Sequence, residues 1–198
     1  MNSFWIFFET GLRHVLDIAA YDHVLFLMAL TVPYAFRDWK RLLLLVSVFT
    51  LGHTASLLLA VFGWLSVRAD LVEFLIPVTI ALTALFHLFT AGKASRKEGL
   101  SIIAGVTLFF GIVHGLGFSN YFNALLPGTA ADKLLPTLEF ALGIEAAQVL
   151  VVLSVLILSY AAQTFFRFSR RDWTLVLSAF IIGVVVPLLL NCPLWERK

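Results

Sequence analysis

The chain has 198 residues, of which 61% are hydrophobic and only 13% are charged, and its mean hydropathy is +0.96. Soluble domains are about 45–50% apolar, so this composition excludes a water-soluble protein and predicts an integral protein of the lipid bilayer. The net charge of +2 resides in a few short Lys and Arg clusters, and it indicates no nucleic-acid partner. A single Cys excludes an internal disulfide, and with only two Met residues a Cu(I) site is disfavoured.

The N-terminal segment lacks a basic region and a small-residue cleavage site, so we expect no removable secretory signal. Residues 4–18 instead predict an amphipathic helix, because Glu9, Arg13 and Asp17 recur every four residues opposite an apolar face that includes Trp5 and Phe8. We expect this helix to be interfacial, on the outer side, or re-entrant. A seventh, short span is the alternative.

Six apolar runs follow this segment, and each meets or approaches the roughly 20 residues that a helix needs to cross a bilayer. They comprise residues 21–36, 41–64, 71–92, 100–125, 134–166 and 173–190. The first run is short, and the fifth is long enough to tilt. The sequence therefore predicts an all-α fold, a polytopic transmembrane helix bundle in which residues 21–190 form six spans within a single membrane domain of residues 1–198.

The loops between the spans separate by charge. Loops 37–41, 93–98 and 167–172 carry the Lys and Arg clusters, whereas the other two loops have no positive excess. By the positive-inside rule, the three basic loops are cytoplasmic. With six spans, both ends of the bundle then lie outside.

Ionisable residues lie within these apolar runs, where each costs roughly 2.5–3.5 kcal/mol and therefore indicates a function. At a rise of about 1.5 Å per residue, His53, His114 and Glu145 lie about 16 Å below the outer surface, and His23 lies at the outer mouth of the first span. Four spans thus contribute to one slab, and we predict a shared polar site in the outer half of the bundle. For any one histidine, a hydrogen bond to a neighbouring helix is the alternative.

The side chains of this slab form a nitrogen and oxygen ligand set that suits a divalent transition metal such as Ni, Co, Zn or Fe. The candidate ligands are His14, Asp22, His23, His53, His114 and Glu145. Thr50 and Thr54 share a helical face with His53 and are placed to orient its imidazole. Gln148 shares a face with Glu145.

Three further patterns concern how the site is built. Asp22 is either a ligand or a cap for the first helical amides of its span. The spacing of Gly111 and Gly115 predicts a close approach by another helix. Thr83 and His87 continue a polar stripe toward the cytoplasm, which either lines a route or reflects hydroxyls bonded back to their own helix.

Four ordered blocks cover most of the chain: His14 followed by YDHVLF at 21–26, FTLGHTASL at 49–57, HGLGF at 114–118 and FALGIEAAQ at 140–148. Together they resemble the HupE/UreJ family of small bacterial membrane proteins. The resemblance implies a nickel or cobalt permease of the bacterial inner membrane, associated with hydrogenase or urease maturation. It also implies metal binding by the six candidate ligands, whereas His87 belongs to none of the blocks.

Transport of a divalent metal is therefore the predicted function, with Glu145 supplying negative charge to the ion. A second hypothesis is an intramembrane zinc or iron enzyme that uses the same ligands, with Glu145 or Asp22 as the general base. A third is a metal sensor, assembly factor or structural subunit that transports nothing. A transporter needs a polar route to both faces, whereas an enzyme site opens only to lipid or to the outside. The oligomeric state stays open.

Overall fold

The computed structural model describes residues 3–92, 100–125, 128–192 and 194. Over these residues the chain forms seven α-helices and no strand. The helices are α1 (Ser3–Leu16), α2 (Asp22–Thr31), α3 (Trp39–Val61), α4 (Ala69–Thr90), α5 (Leu100–Leu125), α6 (Ala130–Phe165) and α7 (Arg170–Leu190), and a 3-10 turn at Phe36–Asp38 precedes α3. The predicted all-α fold is confirmed.

Helices α3 to α7 are each long and apolar enough to cross a membrane, as five of the six predicted spans require. Helix α6 begins four residues before its apolar run, and α7 begins three residues before its own. Both have a capping box in the first turn, in which Asp132 accepts from the Thr129 backbone amide at 2.9 Å and Asp172 accepts from the Ser169 backbone amide at 3.2 Å. Hydropathy misses such polar first turns. The predicted loop 93–98 lies outside the described residues.

The first predicted span, 21–36, is different. Its helix α2 has only 10 residues and is therefore about 15 Å long, half of a bilayer core. Pro33 follows closely, and proline disfavours helix at the residue before it. Seven of the ten α2 residues are buried, and the helix contacts α4, α6 and α7. Helix α2 is thus a short helix enclosed by the longer ones.

Helix α1 packs lengthwise against α6. The backbone at Gly11 abuts that of Phe140, and the backbone at Gly143 abuts that of Phe8, so closely that a Cβ on either glycine would overlap a carbonyl oxygen. Backbones approach this closely only where small residues meet. These pairings make α1 antiparallel to α6, a packing that fits both a re-entrant helix and a short seventh span. Its charged stripe is exposed, with Arg13 bonded to Glu9 at 2.7 Å.

The predicted close approach at Gly111 and Gly115 occurs between α5 and α3. A Cβ at Gly115 would overlap the His53 carbonyl oxygen, and one at Gly111 would overlap that of Phe49. From the other side, Gly52 packs against the α5 backbone. The pairs run in the same direction along both helices, so α3 and α5 are parallel, and His53 is held at the level of His114.

Candidate metal centre

Three histidines from three helices meet near one end of the bundle. His14 lies in the last turn of α1, His23 in the first turn of α2 and His53 within α3. One nitrogen of each ring lies within 4.8 Å of the others. The ring centroid of His14 is 4.6 Å from that of His23, and both are 5.8 Å from that of His53. Because α1 and α2 are consecutive short helices, their adjoining ends present two imidazoles to α3.

His114 on α5 is the fourth imidazole at this level. It is buried, and its ring centroid is 5.1 Å from that of His23. Its Nδ1 lies 2.9 Å from the carbonyl oxygen of Phe110, one turn earlier on the same helix. Since a carbonyl only accepts, Nδ1 carries the proton and donates it, which leaves a lone pair on Nε2. In this tautomer the imidazole can bind a metal ion through Nε2.

Asp22 holds the ring of His23 in the same way. Its Oδ1 lies 3.2 Å from His23 Nδ1 and also accepts from the His23 backbone amide at 2.9 Å. The carboxylate therefore accepts a hydrogen bond from Nδ1–H and leaves the Nε2 lone pair free, as carboxylates do behind many metal-bound histidines. Its hydrogen bond from the His23 amide also satisfies one of the first backbone donors of α2. Asp22 is the first residue of α2, and its side chain orients the His23 imidazole.

Five other histidine nitrogens at this level are buried and have no hydrogen-bond partner among the described residues. They are Nε2 of His14, His23 and His114 and both nitrogens of His53. A buried polar atom without a partner costs about 1–3 kcal/mol, so several in one place are unusual. Three nitrogens bound at 2.0–2.1 Å to one tetrahedral ion lie about 3.4 Å apart. The nitrogens of the three-histidine group, which lie within 4.8 Å of one another, therefore bind a metal ion after approaching by at most about 1.4 Å.

Aromatic rings enclose the histidines on both sides. Phe26 and Phe49 stack at 4.8 Å, and Phe49 lies 5.2 Å from the His114 ring. On the other side, the ring of His14 lies 4.0 Å from that of Phe118 and 5.6 Å from that of Phe140. Excluding water in this way strengthens electrostatic interactions inside the site. We did not single out these rings in the sequence, although three of the four lie three or four residues from a histidine, on the same helical face.

Glu145 belongs to a separate cluster between α6 and α3. Its Oε1 accepts from the Ser47 hydroxyl at 2.6 Å, and its Oε2 is hydrogen-bonded to the Thr50 hydroxyl. The Thr50 oxygen also lies 3.0 Å from Oε1 of Gln148. Thr50 precedes His53 by three residues, which is about 4.5 Å along the axis of α3. The structure therefore brings Glu145, Thr50 and Gln148 together one turn from the histidines, and not into the three-nitrogen group.

The family of the chain follows from its sequence as a whole. The sequence model described as HupE / UreJ protein matches residues 1–191. The chain belongs to the HupE/UreJ family. No match was found among curated proteins or among solved structures. Membership, together with the five long apolar helices, makes this HupE/UreJ protein a multi-pass membrane protein and supports transition-metal transport as its general function.

The other polar residues predicted for the site lie at its margin or outside it. Thr54 is half-buried beside His53. On α4, the Thr83 hydroxyl donates to the Thr79 carbonyl at 2.9 Å, so it is turned toward its own helix. His87 is half-buried against Phe86 and is not part of the histidine group. The described contacts of α4 thus show back-bonding hydroxyls instead of an open polar stripe.

Glu139 is a buried carboxylate that the sequence analysis did not single out. It lies one turn before Gly143 on α6, with 7% of its surface exposed, and its Oε2 has no hydrogen-bond partner among the described residues. The signal was an acidic residue inside the fifth apolar run.

The role of Asp22 gives a prediction. Asp22→Ala removes the acceptor that fixes the His23 ring, so we expect metal affinity to fall by about 10–100-fold. Asp22→Asn keeps an acceptor oxygen and is expected to lose less. The exposed Asp17, whose Oδ1 accepts from the Ala19 amide at 2.9 Å, provides the control Asp17→Ala. Calorimetric titration of purified protein measures the affinities, and a wild-type affinity for Asp22→Ala contradicts the orienting role.

Proposed function

We propose that this chain is a permease for a divalent transition-metal ion, with nickel or cobalt as its cargo. His14, His23 and His53 bind the ion on its way across the membrane, and His114 joins them as a fourth ligand. The observation that supports this is the set of buried imidazole nitrogens that converge without partners. Imidazole suits Ni, Co and Zn, and the family favours the first two.

Neutral imidazoles replace water around the ion but leave its charge uncompensated. Asp22 supplies a negative charge behind His23, and the low dielectric of the enclosing aromatic rings makes that charge effective. The free-energy cost of dehydrating the ion is then offset by ligands that already point into the site. The site is suited to capture a dication from the outer side, which the positive-inside rule assigns to this end of the bundle.

The cluster around Glu145 provides the next position along the route. Thr50 and Ser47 precede His53 by three and six residues, so they lie about 4.5 and 9 Å farther toward the basic end of the bundle. Carboxylate, hydroxyl and amide oxygens are weaker ligands for these metals than imidazole. Phe49 is fully buried on the same helix, and its ring lies 5.2 Å from that of His114 and 6.4 Å from that of His53. The change from imidazole to oxygen ligands along the route separates binding of the ion from its release.

Flux and binding must be measured on the same protein. Wild-type protein is reconstituted into liposomes loaded with a metal-sensitive fluorophore, and uptake of Ni, Co, Zn and Mg is followed beside equilibrium binding in detergent. We expect saturable uptake of Ni and Co, with competition between the two, and no uptake of Mg. Tight binding without flux contradicts the permease and favours an intramembrane enzyme or a sensor. Failure of every metal to bind contradicts the site.

Glu145→Gln tests the two-level route. The amide keeps the shape and the hydrogen-bonding capacity of the side chain but removes its charge. We expect flux to fall at least about 10-fold because a cation loses its counter-charge in the membrane, while affinity at the histidines stays within about threefold. Glu9→Gln is the control, since Glu9 is exposed on α1. Loss of binding equal to that of a histidine variant instead makes Glu145 a ligand of the first site, and unchanged flux removes it from the route.

A further inference from the structure

A cavity of about 340 Å³ lies at the end of the bundle away from the histidines. It forms where the corner before α3 meets the end of α6 and the start of α7. Its lining includes Phe36, Arg37, Ser159, Tyr160, Gln163 and Arg170. We call it the Arg37/Arg170 cavity. None of its residues belongs to the metal site.

Two arginines line this cavity without a counter-charge. Arg37 lies in the 3-10 turn before α3 and Arg170 at the start of α7, and within the described ranges neither is in an ion pair. The nearby carboxylates are engaged elsewhere, since Asp38 accepts from the Ala35 amide at 3.0 Å and Asp172 accepts from the Ser169 hydroxyl at 2.6 Å. Two arginines at one cavity suit a phosphate group, which their planar forks bind through paired hydrogen bonds.

The outer wall of the cavity is apolar. The rings of Phe36 and Tyr160 meet edge to face at 6.2 Å and are 42% and 59% exposed. Leu156 adds a buried aliphatic surface beside them. The polar side is formed by Gln163, which donates to the Ser159 hydroxyl at 2.8 Å. A cavity with a cationic and polar head and an exposed aromatic flank matches an amphiphile at the membrane interface better than a soluble anion.

We propose that the Arg37/Arg170 cavity binds the phosphodiester headgroup of an anionic phospholipid, with its acyl chains against Phe36 and Tyr160. This end of the bundle carries the basic loops, and the cytoplasmic leaflet that such loops face is the one whose anionic lipids attract Lys and Arg. The site does not depend on the proposed function, since no histidine and no metal ion takes part. It anchors the α2–α3 corner to the ends of α6 and α7.

The test compares two double variants that remove the same charge from the same end of the bundle. The full-length protein, free of metal, is titrated with phosphatidylglycerol or phosphatidylcholine, and bound lipid is counted by native mass spectrometry. We expect Arg37→Gln with Arg170→Gln to weaken phosphatidylglycerol binding at least about 10-fold. The control is Lys40→Gln with Arg167→Gln, which lines no part of the cavity and is expected to stay within about twofold. Equal losses of phosphatidylglycerol binding in the two double variants overturn the proposal.

Two further arms separate lipid from a free anion and guard against misfolding. Inorganic phosphate at millimolar concentration is expected to leave phosphatidylglycerol bound, and its displacement of the lipid overturns the assignment to a lipid. Arg37→Lys with Arg170→Lys keeps the charge and is expected to retain most of the binding. If the variant with Arg37→Gln and Arg170→Gln does not fold, the wild-type protein still tests the proposal. Equal binding of phosphatidylglycerol and phosphatidylcholine to the wild-type protein contradicts it.

Discussion

His53→Gln is expected to weaken binding of Ni or Co by at least about 100-fold, more than removal of an orienting partner does. His53 is fully buried, and both of its ring nitrogens lack a partner among the described residues. Glutamine keeps a polar side chain of similar length but offers no imidazole lone pair. The measurement is metal titration of purified protein without a polyhistidine tag, followed by metal analysis after dialysis.

His87→Gln is the matched control. It removes one histidine from another apolar helix, half-buried and outside the three-histidine group. We expect its metal affinity to stay within about twofold of wild type because it loses no ligand. Equal losses in the two variants show that the metal binds adventitiously, and loss only in His87→Gln moves the site to α4. Either result removes the convergent histidines as the binding site.

Gly115→Ala is expected to destabilise the protein by about 1–3 kcal/mol and to weaken metal binding at the same time. The added Cβ falls on the His53 carbonyl oxygen and the Ser56 hydroxyl. Backbone cannot rotate away, so α3 and α5 must separate, and this displaces His53 relative to His114. Thermal unfolding in detergent and metal titration on the same preparation measure the two effects.

Gly105→Ala provides the control on the same helix. A Cβ at Gly105 meets no atom within 4 Å, and alanine favours helix over glycine by roughly 0.5–1 kcal/mol. We therefore expect Gly105→Ala to be neutral or slightly stabilising, with unchanged affinity. Because both variants make the same chemical change in α5, their difference isolates the contact with α3. A destabilised Gly115→Ala that keeps wild-type affinity contradicts the link between helix approach and the site.

The long helices could be predicted because a bilayer constrains a chain so strongly. Backbone groups in lipid must bond within their own segment, so a long apolar run has to be a helix. Helices α3 to α7 follow from that argument alone. The run that begins at Tyr21 is also apolar, but its helix ends at Thr31, before Pro33. Because protein and not lipid surrounds α2, this helix does not need to be long enough to cross the bilayer.

The depth of the candidate site residues in the membrane could be predicted, but the direction in which their side chains point could not. Residue counts place His23, His53, His114 and Glu145 in one slab, because rise per residue is constant. Which of them face one another depends on how each helix is rotated and on which neighbour it contacts. Glu145 accepts a hydrogen bond from Ser47 and is not part of the three-nitrogen group. His14 is part of that group because Gly11 and Gly143 allow α1 to pack closely against α6.

The class of this protein, its long helices, its family and the depth of its ionisable residues can all be read from the sequence. Each of these depends on composition and linear spacing, which the bilayer converts into length and depth. Packing in three dimensions makes α2 a short enclosed helix, brings nitrogens of His14, His23 and His53 within 4.8 Å of one another, and sets Glu145 apart. These outcomes depend on contacts between backbones far apart in the chain, such as Gly115 against His53. The spacing of Gly111 and Gly115 predicts a close approach, but it identifies neither the partner helix nor the rotation that fixes which side chains meet.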